Sequence, residues 1–600
     1  MDARQIAPRF GPRFGPRVGR LLCGLLLLLA CGACGLTSED EVFPPLTFDD
    51  LPVHREPHRI DLLESGWEAL ALRIHLIRSA RETLDLQTFI WTGDEVGNLL
   101  VDELVAAARR GVRVRLLTDQ MFSTKDVDLV AGVATADPRL ELRHFNPNVA
   151  RISPYALSVL WQVVKDLEQV NQRMHDKVMI VDGRTALVGG RNFQNDYFDY
   201  DARRRYKDRE ILVDGPVVAD MTASFERFWA HPWSVRSGDL RDVERLMARR
   251  AKEAAAAAEA AQAGGGGASG DPDSWRRLDA AQSEGVAVLL EELGPLLRPA
   301  VAAGRIQDLW VEVDEVVFCS DPPGKADVRL AGEALPDEVL TVLAGVVRGA
   351  EDSVLIQSPY LVLSDRAVRL FRALRDEHPG LEVVVSTNSL AATDSWPTYA
   401  HSYRQRRLML VELGFRIHEF KPHPEDEAAD FAGHERVDRG RDLPWSCLHG
   451  KSLVVDGEVA AVGSFNLDPR SSHLNTEVMV LVRDEAFARL LADEIEADMH
   501  PRNSWVIWRR ERPLLDRQVD DLLSYLSDKV ASLTTLDLWP SQYASAFDLR
   551  HGQEPVPPGH PDFYDRYREV GDFPEVDPTE RKLVLALLFK AVGTSADWLL

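Results

Sequence analysis

The chain has 600 residues, 45% of them hydrophobic and 28% charged, and a formal net charge of −25. A chain of this length divides into two or more domains and has ample material for a core. So acidic a chain repels polyanions, which speaks against a nucleic-acid binder that draws its affinity from counterion release, but leaves room for a local basic pocket around one phosphodiester.

The N-terminus carries five arginines (Arg4, Arg9, Arg13, Arg17, Arg20) and one acid, Asp2, ahead of the apolar run Leu21–Ala30 and Cys31-Gly32-Ala33-Cys34. Without residues 1–30 the net charge is −29. A basic stretch followed by a short apolar run has the form of a secretory signal, here taken as residues 1–35. The run falls short of the roughly 20 residues that span a bilayer. Leu28-Leu29-Ala30-Cys31 resembles a bacterial lipobox, which implies that Cys31 is lipidated and becomes the first residue of the mature protein; an uncleaved N-terminal anchor is the alternative. Either reading puts a bacterial envelope protein at a membrane, facing the periplasm or the exterior. Beyond the signal only Cys319 and Cys447 remain, which suggests partly buried thiols rather than a disulfide framework or a cysteine metal site.

Within residues 50–240, short apolar runs predict strands at Thr83–Ile90, Val112–Thr118, Val178–Val181 and Ile211–Val213. A helical pattern (Leu99, Leu100, Leu104, Val105, Ala108) lies between the first two. Residues 249–280 pass from an Ala/Glu-rich run to Gly264-Gly265-Gly266-Gly267, as in a helical extension that ends in a flexible linker. The same order of elements returns in residues 281–503. The runs are Ser353–Gln357, Leu381–Ser386, Phe415–Phe420, Ser452–Val455 and Glu477–Val482, with helical Arg366–Asp376 between the first pair. Such a repeat predicts an α/β fold of two similar α/β/α domains in pseudo-twofold arrangement, each with a mixed central sheet. Residues 504–600 read as a helical C-terminal extension of no evident role, with a Pro- and acid-rich segment Glu554–Glu580 and an apolar helix near Leu583–Val592.

The chemistry concentrates in two copies of one pattern. His175-Asp176-Lys177 is followed by Asp182 and by Gly189-Gly190-Arg191-Asn192; His449-Gly450-Lys451 is followed at identical spacing by Asp456 and by Gly463-Ser464-Phe465-Asn466. Five fixed positions match by chance at about one start in several million, so two copies in equivalent halves are no coincidence. On an extended strand, His and Lys two residues apart share a face, and a phosphate fits where they converge. Lys supplies the positive charge, and Asn with the backbone amides of the Gly-Gly or Gly-Ser turn supplies donors to the non-bridging oxygens. Two such half-sites facing each other would enclose one phosphodiester, with one imidazole attacking phosphorus and the other protonating the leaving oxygen.

The duplicated His-x-Lys-x4-Asp-x6-Gly-(Gly/Ser)-x-Asn pattern resembles the phospholipase D superfamily. The flanking residues, among them Asn171-Gln172-Arg173-Met174, Thr387–Asp394, Leu467-Asp468-Pro469-Arg470-Ser471 and Asn475-Thr476-Glu477, resemble its cardiolipin synthase C branch. The likeness spans roughly residues 60–500. It implies a metal-independent phosphatidyltransferase that works through a phosphohistidine, takes membrane phospholipids as substrates and needs no cofactor. It maps His175 to the nucleophile and His449 to the general acid, with Lys177, Lys451, Asn192 and Asn466 binding phosphate beside Gly190 and Ser464. In the family, a carboxylate about thirty residues after each histidine orients the imidazole; Glu210 and Glu477 fall there, with Asp208 competing with Glu210. Asp182 and Asp456 belong to the catalytic motif, yet each precedes a glycine and suits a turn. Gly190 brings no hydroxyl where the pattern has Ser, whereas Ser464 keeps it.

His231 and His418 lack such context and read as structural, and His401 reads equally as a pocket residue or an ordinary helical one. Asp199-Tyr200-Asp201 lacks companions at metal-ligand spacing, and Arg203-Arg204-Arg205 reads as a solvated face. A phospholipase D hydrolase shares the covalent chemistry and differs in admitting water as acceptor, and a nuclease of the same superfamily stands against the acidic charge. A decayed, non-catalytic binding protein stands against two complete motifs.

Overall fold

The computed structural model describes residues 43–201, 203–264, 280–298, 310–325, 338–426, 444–511 and 544–576. The signal segment with Cys31, the Gly-rich stretch 265–279 and the expected helix near residues 583–592 lie outside the described residues.

Two sheets form the centre of the molecule. The nine-stranded one runs Val311–Val313, His58–Leu63, Glu210–Asp214, Thr185–Gly189, Val178–Val181, Thr83–Thr88, Arg113–Asp119, Leu140–Phe145, Ser234–Arg236 from edge to edge. The ten-stranded one runs Val316–Ser320, Val478–Arg483, Val459–Gly463, Ser452–Val455, Ser353–Gln357, Glu382–Asn388, Arg416–Phe420, Ser504–Arg509, Ala544–Leu549, Tyr567–Gly571. In each, three adjacent strands are parallel and the remaining pairings antiparallel, so both sheets are mixed. A small third sheet joins the halves: Arg204–Lys207 runs parallel to Trp445–Leu448.

Alternation along the strands explains the layering. Met179 and Val181 face the core shared with the helices Gly66–Ser79 and Glu95–Arg109, whereas Val178 and Ile180 face an inner core. Leu453 and Val455 likewise face the outer core of the second half, and Val454 the inner one. That inner core joins the halves, because Val188, Ile211 and Val213 of one sheet pack with Ala460, Val462 and Val480 of the other. Strands buried on both faces read as continuous apolar runs, as in Val178-Met179-Ile180-Val181. Local signals set the helix starts: Asp94 accepts from Gly97 N–H at 2.9 Å ahead of Glu95–Arg109, and Ser364 from Ala367 N–H at 3.3 Å ahead of Asp365–Glu377.

Beyond residue 503 the structure departs from the helical expectation. Ser504–Arg509, Ala544–Leu549 and Tyr567–Gly571 extend the second sheet. Trp505 and Ile507, alternate residues of the first of these, are buried in the second outer core. In the arginine run Arg203 and Arg204 are exposed as expected, whereas Arg205 is buried and pairs with Asp199 at 2.7 Å.

Candidate active site

The motif spacing is that of a hairpin. His175 and His449 lie three residues ahead of the strands Val178–Val181 and Ser452–Val455, and the return strands end at Gly189 and Gly463. Gly189 N–H donates to the Lys177 carbonyl at 3.4 Å and Gly463 N–H to the Lys451 carbonyl at 3.2 Å, so each Asn comes back beside its own His-x-Lys. The motif aspartates form the turns at the far ends of these hairpins. Asp182 (φ 51°) accepts from the N–H groups of Arg81, Glu82 and Thr83, and Asp456 (φ 52°) from those of Glu351, Asp352 and Ser353. Their motif membership is thereby a matter of turn geometry, and contact with the imidazoles plays no part in it.

Each histidine is bound to the opposite half. His175 N–H donates to the Thr476 carbonyl and Thr476 N–H to the Arg173 carbonyl, both at 3.0 Å, while His449 and Gly450 N–H groups donate to the Lys207 carbonyl at 2.7 and 3.1 Å. The next residue in each case is a carboxylate. Glu477 Oε2 lies 2.8 Å from His175 Nδ1, and Asp208 Oδ2 lies 2.5 Å from His449 Nδ1. Each imidazole therefore gives its Nδ1 proton to a carboxylate from the other half, which leaves Nε2 as the reactive nitrogen. Lys451 Nζ also lies 2.8 Å from His449 Nδ1, but with that proton committed to Asp208 the ammonium donates to the His449 carbonyl instead.

Glu210, expected to orient an imidazole, does not. Gly189 pairs with Glu210 in the first sheet and Gly463 with Met479 in the second, so Glu210 is the counterpart of Met479, and Asp208 that of Glu477. Glu210 instead accepts from Arg73 Nη1 at 2.6 Å and Arg191 Nη1 at 3.3 Å in a buried cluster. Register also explains Gly190. A Cβ there would stand 2.2 Å from Asp208 Oδ1, in the space that the Ser464 side chain fills in the other half. Ser464 Oγ donates to Glu477 Oε2 at 2.6 Å, and Ser471 Oγ to Oε1 at 2.7 Å, a contact that the motif alone did not announce.

His175, Lys177, Asn192, His449, Lys451 and Asn466 are all buried, and their environments shift them together. Burial pulls the His175 pKa down to about 4 against the pull of Glu477, and Lys177 down to about 7. Burial likewise lowers His449 and Lys451, with Asp208 opposing both. For Asp208 and Glu477, burial alone would raise the pKa, but the facing imidazoles and lysines hold both below the usual carboxylate range. Lys451 acts on His175, and Lys451 and Asp208 act on Lys177, so the two motifs share one electrostatic site. Asn192 Oδ1 accepts from Ile90 N–H at 3.0 Å, while the buried Oδ1 of Asn466 and both side-chain polar atoms of Gln172 lack hydrogen-bond partners. The Asn466 side chain, in the motif of His449, is one that a substrate alcohol can engage.

Aromatic rings wall the pocket. Phe89 packs edge-on to His175 at 4.8 Å, and Tyr197 and Tyr206 to His449 at 5.2 and 5.3 Å. Asp394 accepts from the Tyr360 hydroxyl at 3.0 Å and the Tyr206 hydroxyl at 3.4 Å, and its charge acts on His449. The sequence showed Asp394 only as a flanking residue. His418 bonds the Met499 carbonyl at 3.2 Å, His231 packs tilted on Phe145 and edge-on to Trp233, and His401 is buried on the helix Trp396–Arg407. Among the described residues, no three His, Cys, Asp or Glu side chains are grouped to hold a metal ion, and no helix is long and apolar enough to cross a membrane.

A family model described as "Cardiolipin synthase, PLD-like domain" matches residues 73–229 and 344–499, together more than half of the chain. Cardiolipin synthase C of Escherichia coli K12 is 32% identical over 430 residues, covering 72% of this chain and 82% of that protein. An uncharacterized protein of Helicobacter pylori 26695 is 29% identical over 453 residues, covering 75% of this chain and 80% of the other. Among solved structures, phosphatidylserine synthase of Haemophilus influenzae Rd KW20 matches with a TM-score of 0.47 and 15% identity, over 82% of this chain and 95% of that one.

Proposed function

Because this chain belongs to the cardiolipin synthase, PLD-like domain family, we propose that it is a phospholipid phosphatidyltransferase that makes a cardiolipin-type lipid through a phosphohistidine on His175. The carrying observation is the exchange of carboxylates, which builds one buried site from two half-motifs. His175, neutral at working pH, attacks phosphorus through Nε2, and an N–P bond forms as the bond to the leaving alcohol breaks. The leaving oxygen takes its proton from His449. An acceptor lipid alcohol such as phosphatidylglycerol then gives its proton to His449 and attacks phosphorus, which frees His175. Lys177, Lys451, Asn192 and Asn466 hold the non-bridging oxygens, and the phosphodiester charge raises the pKa of both imidazoles from their lowered values.

The division of roles rests on the surroundings. His449 lies under the fields of Asp208 and Asp394, which favour a held proton, whereas Glu477 opposite His175 is shared with Ser464 and Ser471. The form of the N-terminal segment supports an activity at the cell envelope, with Cys31 proposed as the lipidated residue.

Incubation with headgroup-labelled and acyl-labelled phosphatidylglycerol, followed by acid-free trapping and peptide mapping, tests the proposal. Acyl label on His175 and cardiolipin among the products are expected. Label on His449 with His175 free reverses the roles, and phosphatidic acid as the sole product turns the transferase into a hydrolase.

A further inference from the structure

Among the described residues, five large hydrophobic side chains are exposed, and four of them belong to one lip of the site: Phe122 (48%), Tyr155 (67%), Leu157 (80%) and Trp161 (69%). The loop of Phe122 is tied to the segment of the other three, because Gln120 Nε2 donates to the Ile152 carbonyl at 3.1 Å. Leu157 and Trp161 stand one turn apart on the helix Ala156–Lys165 and so share a face. The lip is continuous with the chemistry. The short helix Leu167–Asn171 runs directly into Gln172-Arg173-Met174-His175, and Arg470 Nη2 donates to the Asn171 carbonyl at 3.0 Å. Exposed Phe122 packs on Phe89 at 4.8 Å, and Phe89 packs on the His175 ring at 4.8 Å.

Charge narrows the occupant. From Arg151 to Lys165 the chain carries two cations and no acid, the first acids being Asp166 and Glu168 past the helix end, although the whole protein carries −25. Arg151 lies 4.8 Å over the Tyr155 ring. A ten-residue helix is about 15 Å long, too short to span a bilayer but suited to lying in its interface. Trp and Tyr rings beside Lys and Arg are the side chains that settle at the headgroup level.

We propose that residues 151–165 and Phe122 seat on the surface of a bilayer containing anionic lipids, so that the mouth beside His175 opens onto the membrane. This rests on the reading that the substrate is a membrane phospholipid. Seated there, a lipid needs only to raise its headgroup past Phe122 and Phe89 for phosphorus to meet His175 Nε2.

Two readouts on the full chain reconstituted in phosphatidylglycerol vesicles test this. The first is independent of activity: lipids brominated on their chains should quench the emission of Trp161, so the quenched fraction falls in Trp161→Phe. Equal quenching in both proteins overturns the proposal. The second compares activity on vesicles with activity on monomeric dihexanoyl phosphatidylglycerol. Leu157→Asp with Trp161→Asp should lose roughly tenfold or more on vesicles and nothing on the monomeric lipid. Equal loss on both, no loss on vesicles, or conversion of a dimer to a monomer by these changes overturns it, the last by assigning the face to a second copy of the chain. Activity absent from the unmodified protein on either lipid counts against the transferase reading, and the quenching result then judges the surface alone.

Discussion

Gly190→Ala tests whether the Asp208–His449 contact carries the chemistry. The added Cβ would meet Asp208 Oδ1 at 2.2 Å and Oδ2 at 2.5 Å, where ordinary contact begins at 3.4 Å. The carboxylate must retreat by about 1 Å, which stretches the 2.5 Å bond to His449 Nδ1 beyond hydrogen-bonding range. A hydrogen bond to a charged group contributes about 1.5–3 kcal/mol. Its loss slows the steps in which His449 carries the proton by about 10- to 150-fold. The expected result is that fall in kcat/KM for the donor lipid, with most of the protein still folded by its thermal melt. Gly190→Ser combined with Asp208→Glu imports the pairing found at Ser464 and Glu477 and should recover part of the loss. Wild-type kcat/KM in Gly190→Ala, or a loss that only tracks the folded fraction, refutes the reasoning.

Asp208→Asn and Glu210→Gln should separate chemistry from support. The first lowers kcat with little change in the melt. The second unpairs Arg73 and Arg191 in a buried cluster and costs about 3–5 kcal/mol of stability in urea unfolding, with turnover per folded molecule retained. Asp182→Ala and Asp456→Ala each remove the acceptor of three N–H groups at a left-handed turn, so each should lower stability by about 1–3 kcal/mol without changing kcat at a permissive temperature. For pH dependence, burial takes Lys177 from its ordinary 10.5 to about 7, so between those values the unfolded chain binds the extra proton and stability rises with pH. A bound phosphodiester restores the charge. Glycerophosphoglycerol, whose own charge is constant here, should therefore bind more tightly at pH 6 than at pH 8 with proton uptake in calorimetry, and Lys177→Met should reduce both the difference and the uptake, His175, His449 and Lys451 supplying the remainder.

Apolar runs mark these strands plainly: Val178–Val181 is apolar throughout, Ser353–Gln357 and Ser452–Val455 are apolar but for their polar ends, and all three form strands over those residues. Thr185–Gly189 and Val459–Gly463 escaped because short runs of Ala, Val and Gly beside a turn lack period or bulk. Ser504–Arg509 reads as apolar with no partner until Arg416–Phe420 is placed beside it. At the site, the fixed spacing of His, Lys and Asn is hairpin geometry and so is visible in one dimension. The choice between Asp208 and Glu210 is a matter of register. Twenty-one residues separate Gly189 from its sheet partner Glu210, against sixteen from Gly463 to Met479, so counting from the histidine cannot align the two halves. The crossing of carboxylates between halves is a tertiary fact with no local signature.

That crossing makes the reaction centre an internal interface. A half-chain carries a complete motif but lacks the acid that steadies its histidine, so two separated halves would regain the site only by associating, at a rate and extent set by their concentration. Joining them in one polypeptide substitutes an effective concentration in the range of about millimolar for that dependence. It also couples the fates of the two repeats: a change beside Asp208 in the first is felt at His449 in the second, and a change beside Glu477 at His175, so neither copy is free to drift by itself.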